Sequence, residues 1–357
     1  MATIKFLDPT GENLSSPVIG ESGLTTLTPS RNTAPWIYCN YPEMLDYAGK
    51  GMALAENGYY INQQTINGVA SIFYSHWNRS SSSIKFRIQI RNGNTSPAIV
   101  TRSNIGHTTG WGNAATAVTG YFASSSTAIT VASNNTGWLT DEYTIPSNTP
   151  FSGMIRISSD KTVIITAYVY RSVSAITESA KAFPYSDKFS GDLAVYSGRG
   201  VGSYITFTHG TKNVSSLSTP YRYSTNANGA SIRNNGEMVP ISLIGADLIA
   251  DVNSADKSLT NLGNWAAINY HTITFNNNTS SPTTVYGYIG SNIGGNTQII
   301  NRGGVVKSYV FSDQSSGIHK WRWCELKLNK DDIYSFDFQQ ILASYGKAAT
   351  FHEWKLG

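Results

Sequence analysis

Residues 84–91, Ile-Lys-Phe-Arg-Ile-Gln-Ile-Arg, alternate without a break: Ile84, Phe86, Ile88 and Ile90 fall on one face, Lys85, Arg87, Gln89 and Arg91 on the other. A period of two marks a strand with one buried and one wet face, the arrangement of an antiparallel sheet. Asn92-Gly93 follows at once, and both residues tolerate positive φ, so a turn is expected there. The same vocabulary runs along the chain. Further strands are expected at residues 71–77, 155–157, 161–170, 204–208, 285–289, 305–311 and 321–328, with 155–157 and 161–170 paired through Ser158-Ser159-Asp160. Helical signals are confined to residues 174–182 and 244–251, too short to define a layer.

Composition agrees with that reading. Only 13% of the 357 residues are charged, about half the usual share, while Ser 44, Thr 35 and Asn 30 dominate and 12% are aromatic. A disordered chain would be charge-rich and aromatic-poor, and a coiled coil would need heptads of Ala, Glu, Lys and Leu. Many short strands punctuated by Gly, Asn, Ser and Pro are the pattern of sandwiches and barrels.

Three segments recur in the same order. Ile88-Gln-Ile-Arg-Asn-Gly-Asn-Thr-Ser-Pro97 resembles Ile273-Thr-Phe-Asn-Asn-Asn-Thr-Ser-Ser-Pro282, and Ser103-Asn-Ile-Gly106 recurs as Ser291-Asn-Ile-Gly294. Residues 146–170 find a counterpart in 329–354. Their collinearity implies an internal duplication, although Phe86 aligns with His271, so the two cores differ there. The expectation is an all-β chain of two tandem antiparallel, jelly-roll-like β-sandwich domains: an N-terminal arm at 1–19, a first domain at 20–182 and a second at 183–357, with the boundary near Phe183-Pro-Tyr-Ser186.

The net charge of +4 includes no basic stripe, so nucleic acid is not an expected partner. Cys39 and Cys324 are too few for a disulfide scaffold and are read as two independent buried thiols, with a single bridge as the alternative. No charged n-region followed by an apolar core opens the chain, and no apolar run is long enough to span a membrane. The expected location is therefore an intracellular deposit, or a cell or spore surface reached after lysis.

Little in the sequence points to chemistry. His76, His107, His209, His271, His319 and His352 show no metal-ligand spacing, and no nucleophile elbow or phosphate loop is present. Gly198-Arg-Gly-Val-Gly202 lacks the Lys-Ser/Thr and helix a phosphate site needs and reads as a turn. Ser75 and His76 are strand neighbours and point to opposite faces, so they make no nucleophile–base pair. Asp331, Asp332 and Asp337 match no calcium loop. No catalytic, cofactor-binding or metal-binding residue is assigned. Trp321 and Trp323 share a face with Glu325 and Lys327, which makes them the candidate platform for a glycan or protein partner; a core layer is the competing and favoured interpretation.

Asn40-Tyr-Pro-Glu-Met-Leu45, then residues 72–78 and the strand through Asn92, are followed by Asn261-Leu-Gly-Asn-Trp265, a strand to Phe275, and Asn301-Arg-Gly-Gly304. This order resembles a β-rich surface-protein family of spore-forming Firmicutes, often linked to copper-amine-oxidase-like N-terminal domains. The resemblance spans roughly residues 38–310 and rests on short motifs; the family's attached domains are absent. It implies a non-catalytic β-protein of a bacterial surface or spore, and supplies no catalytic residue.

Three function classes follow. The first is a non-enzymatic structural protein that assembles with copies of itself, as a homo-oligomer, lattice, surface layer or inclusion. The second is a glycan- or receptor-binding module. The third is a β-pore-forming or insecticidal toxin, since residues 127–133 alternate Thr and apolar side chains as a membrane strand would and as a sandwich-edge strand also would. The first is preferred, because short polar side chains lose little entropy when ordered in a contact.

Overall fold

The computed structural model describes residues 2–14, 25, 27, 30–39, 44–45, 58–110, 114–122, 125–171, 181–182, 199–223, 231–232, 238–239, 268–291, 296–311, 318–344 and 350–357. The fold is all-β, with one α-helix, Ala114–Tyr121, among these residues. That helix was not foreseen, and the expected helices at 174–182 and 244–251 lie outside the described residues apart from Lys181–Ala182, a short strand. None of the described helices is long and apolar enough to cross a membrane.

The chain forms two compact units, a central one built on Thr33–Ser203 and a terminal one built from Met1–Asn32, Tyr204–Asp247 and Leu262–Gly357. The boundaries expected from the sequence divide the chain differently. Instead of an arm at 1–19, Thr3–Leu14 is a strand paired antiparallel with Ile318–Leu328, because Ile4 and Phe6 pack against the terminal unit's core.

In the central unit, Thr149–Tyr170 pairs with Tyr59–Asn78 on one side and with Ile84–Asn92 and Ala98–Thr109 on the other. The expected hairpin at 158–160 is absent. Both halves of Thr149–Tyr170 pair with the same strand: Ser158 and Ser159 stay in register opposite Val69 and Gly68, and a register shift falls between Ser159 and Val163 within one continuous strand. The Asp160 carboxylate accepts the Ile99 N–H there (2.7 Å). Ile84–Asn92 behaves as its alternation predicts: Ile84, Phe86, Ile88 and Ile90 are fully buried, and the Lys85, Arg87 and Gln89 side chains remain partly exposed.

The terminal unit encloses its core between two sheets. One runs Thr3–Leu14, Ile318–Leu328, Thr283–Ser291, Thr350–Leu356, Tyr221–Tyr223; the other runs Val305–Phe311, Asn296–Arg302, Ile333–Ser344, Ile268–Asn276, Arg199–Asn213. Ile273, Phe275, Val285, Ile289, Phe336 and Trp354 meet between them. The sheets are not wholly antiparallel. Arg199–Asn213 runs parallel to Ile268–Asn276, as Ser30–Cys39 does to Tyr59–Asn78, pairings that long crossovers permit and hairpins cannot make.

One corner is built three times. Asn78, Asn92 and Asn277 are each fully buried at a strand end. Each side-chain oxygen accepts the N–H two residues on, from Ser80 (3.0 Å), Asn94 (2.9 Å) and Thr279 (3.2 Å). Each amide donates to the carbonyl four residues on, Ser82 (2.9 Å), Ser96 (3.0 Å) and Ser281 (3.0 Å). It donates also to two successive carbonyls of a distant strand end: Ile145 and Pro146, Val131 and Ala132, Leu328 and Asn329. The following strand starts six residues later each time, at Ile84, Ala98 and Thr283. The facing turn carries Asn148, Asn134 or Asp331 in the left-handed region (φ 53°, 51° and 63°), the three non-glycine residues found there among the described residues. Asn and Asp tolerate that conformation best after glycine.

Candidate functional site

The candidate platform is divided by the fold. Trp323 is fully buried, edge-on to Trp354 (5.5 Å between centroids) and Phe6 (5.7 Å), whereas Trp321 is partly exposed and donates its indole N–H to the Val310 carbonyl (3.1 Å). Cys324 pairs with Gly287 but Arg322 with Tyr288, so the register slips at Trp323. A bulge adds one residue and breaks strict alternation. Trp323 therefore turns inward while Glu325 and Lys327 stay at the surface, joined by an ion pair (3.2 Å). Trp321 and Trp323 form no platform.

Cys39 and Cys324 are buried in different units and form no disulfide. Burial raises the Cys324 thiol pKa far above its ordinary value, which leaves it inert. His76 is a structural residue, its Nε2 3.4 Å from the Cys39 sulfur. Asp332 caps its own turn by accepting the Asn329 N–H (2.9 Å), and Asp337 accepts the Thr272 hydroxyl (2.6 Å). Among the described residues no group of His, Cys, Asp and Glu is placed to hold a metal ion. Gly198 and the side chains of Arg199 to Gly202 lie outside the described residues, as do Trp111, Trp265 and the His319 side chain.

Two arrangements stand out. The first is an edge. Ser126–Val131, Ser-Thr-Ala-Ile-Thr-Val, pairs antiparallel with Ala98–Thr109, and among the described residues no strand flanks its other side. It carries no charge, proline or glycine; Ser126, Thr127, Ala128 and Thr130 are exposed, and Val131 alone is buried. Opposite Thr130, Ile99 is 48% exposed. Edge strands normally carry lysine, proline or a bulge to stop further pairing, and none of these is here. The sequence made the strand legible through its alternation, but not its place at an edge.

The second is a histidine cluster that spacing could not show. His209, His271 and His352 come from three strands of the terminal unit, and all are buried. His209 Nε2 lies 3.0 Å from His271 Nδ1, and His209 Nδ1 lies 3.0 Å from the Tyr221 hydroxyl. His271 stacks between Phe207 (5.1 Å) and Phe338 (4.5 Å), and His352 stacks on Tyr223 (4.8 Å). Both ring nitrogens of His352 and Nε2 of His271 are buried without a hydrogen-bond partner. Burial lowers all three pKa values, His209 and His352 to about 3, so the rings are neutral at physiological pH.

No family model matches the chain, and no curated protein does. Among solved structures, a salicylate 1,2-dioxygenase from Pseudaminobacter salicylatoxidans shares 10% identity over 94% of this chain and 83% of its own, with a TM-score of 0.13. A mutant of Bacillus subtilis oxalate decarboxylase shares 9% over 85% and 78% (TM-score 0.10), and a Paenibacillus xanthan lyase 10% over 85% and 27% (TM-score 0.13). Likeness at these scores carries no argument about fold or activity.

Proposed function

We propose that the chain is a non-enzymatic structural protein that associates with copies of itself, of the surface-layer or spore-coat kind its family resemblance implies. The observation that supports this is the uncharged, unprotected edge of Ser126–Val131. Two copies of a strand laid antiparallel about a two-fold axis are self-complementary, and they would join two sheets by main-chain hydrogen bonds without any charged contact. The two units are read as diverged copies of one jelly-roll-like sandwich. The support for this duplication is the corner at Asn78 and Asn277, since the strand before each lies parallel to one neighbour and antiparallel to the strand that leaves the facing turn.

Sedimentation velocity over a range of concentrations tests the edge. The expected result is concentration-dependent association that changes little with salt, because the contact holds no charges to screen. Ala128→Lys places a desolvated charge in the contact and should weaken association at least tenfold without altering the folded spectrum. A monomer at every concentration, or an Ala128→Lys variant that associates like the parent, overturns the reading.

A further inference from the structure

His271 stands six residues before Asn277, as Phe86 stands six before Asn92 and Ile72 six before Asn78. Ile72 is paired as His271 is, each antiparallel to the strand that leaves the facing turn (Ile72 opposite Ile155, His271 opposite Phe338) and parallel to a strand on its other side. Phe86 packs fully buried against Tyr74 (4.5 Å) and Phe151 (5.1 Å). A buried apolar side chain therefore fills this position at both corners of the central unit, and a titratable ring stands there only at the third. It does not stand alone, since His209 bonds it and His352 lies 5.1 Å away, centroid to centroid.

We infer that the His209–His271–His352 cluster is an acid-sensitive latch, which keeps the terminal unit closed while the rings are neutral and opens it when they take up protons. Among the described residues, the groups facing the cluster are neutral or positively charged. From the strand of His209, Lys212 lies over the Tyr221 ring (4.2 Å) and opposes protonation of His209. Tyr221 and Tyr223 face the cluster from their strand, both held protonated by burial, and Phe338 closes it from Ile333–Ser344. Behind Tyr223, the Cys324 thiol of Ile318–Leu328 is likewise neutral. The nearest carboxylate in sequence, Glu353, follows His352 in the strand and so points to its other face. There it binds Arg222 (2.7 Å) and Lys320 (3.0 Å). An imidazolium formed in this pocket meets aromatic rings and a cation, and among the described residues no counter-ion.

The direction follows from linkage. These histidines are depressed in the folded state, so below the unfolded value near 6.5 the unfolded chain binds more protons than the folded one. Stability is fully present above that value and falls as pH falls toward about 3. Each ring raises the unfolding constant by roughly tenfold per pH unit over this window, and three together by several hundredfold or more between pH 6 and 5.

The test is urea unfolding of the full chain at pH 7.5, 6.5, 5.5 and 4.5, with NMR titration of the histidine rings in the native protein. Three imidazoles that stay neutral at pH 5.5, and a terminal-unit transition that moves steeply to lower urea, are expected. His352→Phe loses no hydrogen bond and should be more stable than the parent at pH 7.5, with an advantage roughly tenfold larger at pH 5.5. His271→Phe should flatten the pH dependence by a similar step. If either variant fails to fold, the native titration still decides. Rings that titrate near 6.5 in the folded protein, or a transition whose pH slope survives in His352→Phe unchanged, overturn the latch.

Discussion

Phe86→Ala is expected to lower the stability of the central unit by about 3–5 kcal/mol, as a large-to-small change in a packed core. The ring is fully buried, packed against Tyr74 and Phe151. The next residue provides the contrast. Arg87 lies over the Trp138 ring (4.1 Å) and donates to the Thr140 carbonyl (3.2 Å), so Arg87→Ala should cost about 1 kcal/mol rather than nothing. Chemical denaturation of both variants checks the pair. Equal losses would mean that the two faces of the strand have been exchanged.

Asn277→Ala should cost the terminal unit about 3 kcal/mol. The amide is fully buried, and its removal takes a partner from the Leu328 and Asn329 carbonyls and the Thr279 N–H, while the Ser281 carbonyl keeps the Thr279 and Thr283 hydroxyls. Asn277→Asp should cost more, because a carboxylate would face three carbonyl oxygens in a fully buried site. Ser280→Ala, on the exposed side of the same turn, should stay within about 0.5 kcal/mol. Equilibrium unfolding of the three variants decides. An Asn277→Ala chain as stable as the Ser280→Ala chain would show that the corner is a consequence of the sheet and not one of its supports.

These two positions also show what could be read in advance. The faces of 84–91 were legible because a side chain in an extended strand has only two directions, so alternation translates into burial with no knowledge of the partner strand. The recurrence of Asn92 to Pro97 at Asn277 to Pro282 was legible because an Asx turn is a local device: the oxygen reaches two residues on and the amide four. The sequence also showed the turn at Asn78 only as polar punctuation, since the half of the corner that makes it a corner lies more than sixty residues away, at Ile145 and Pro146.

What failed did so where a distant contact overrides a local rule. Ser158-Ser159-Asp160 has the composition of a hairpin turn, yet one long partner strand runs past it and holds both sides in line. Trp321 and Trp323 obey the period of two on paper, and a single extra residue at the bulge sends one of them into the core. The opening strand pairs with a strand some three hundred residues later, a pairing that no local pattern encodes.

By itself, then, the sequence determined the β class, the buried face of its clearest strand and the turns that local hydrogen bonds close, because each depends on residues within a few positions of one another. Only the tertiary structure decided that Ser126–Val131 lies at an edge and that three histidines share one buried pocket. Edge position and burial depend on which strands come to lie alongside, and that is set by the packing of the whole sheet.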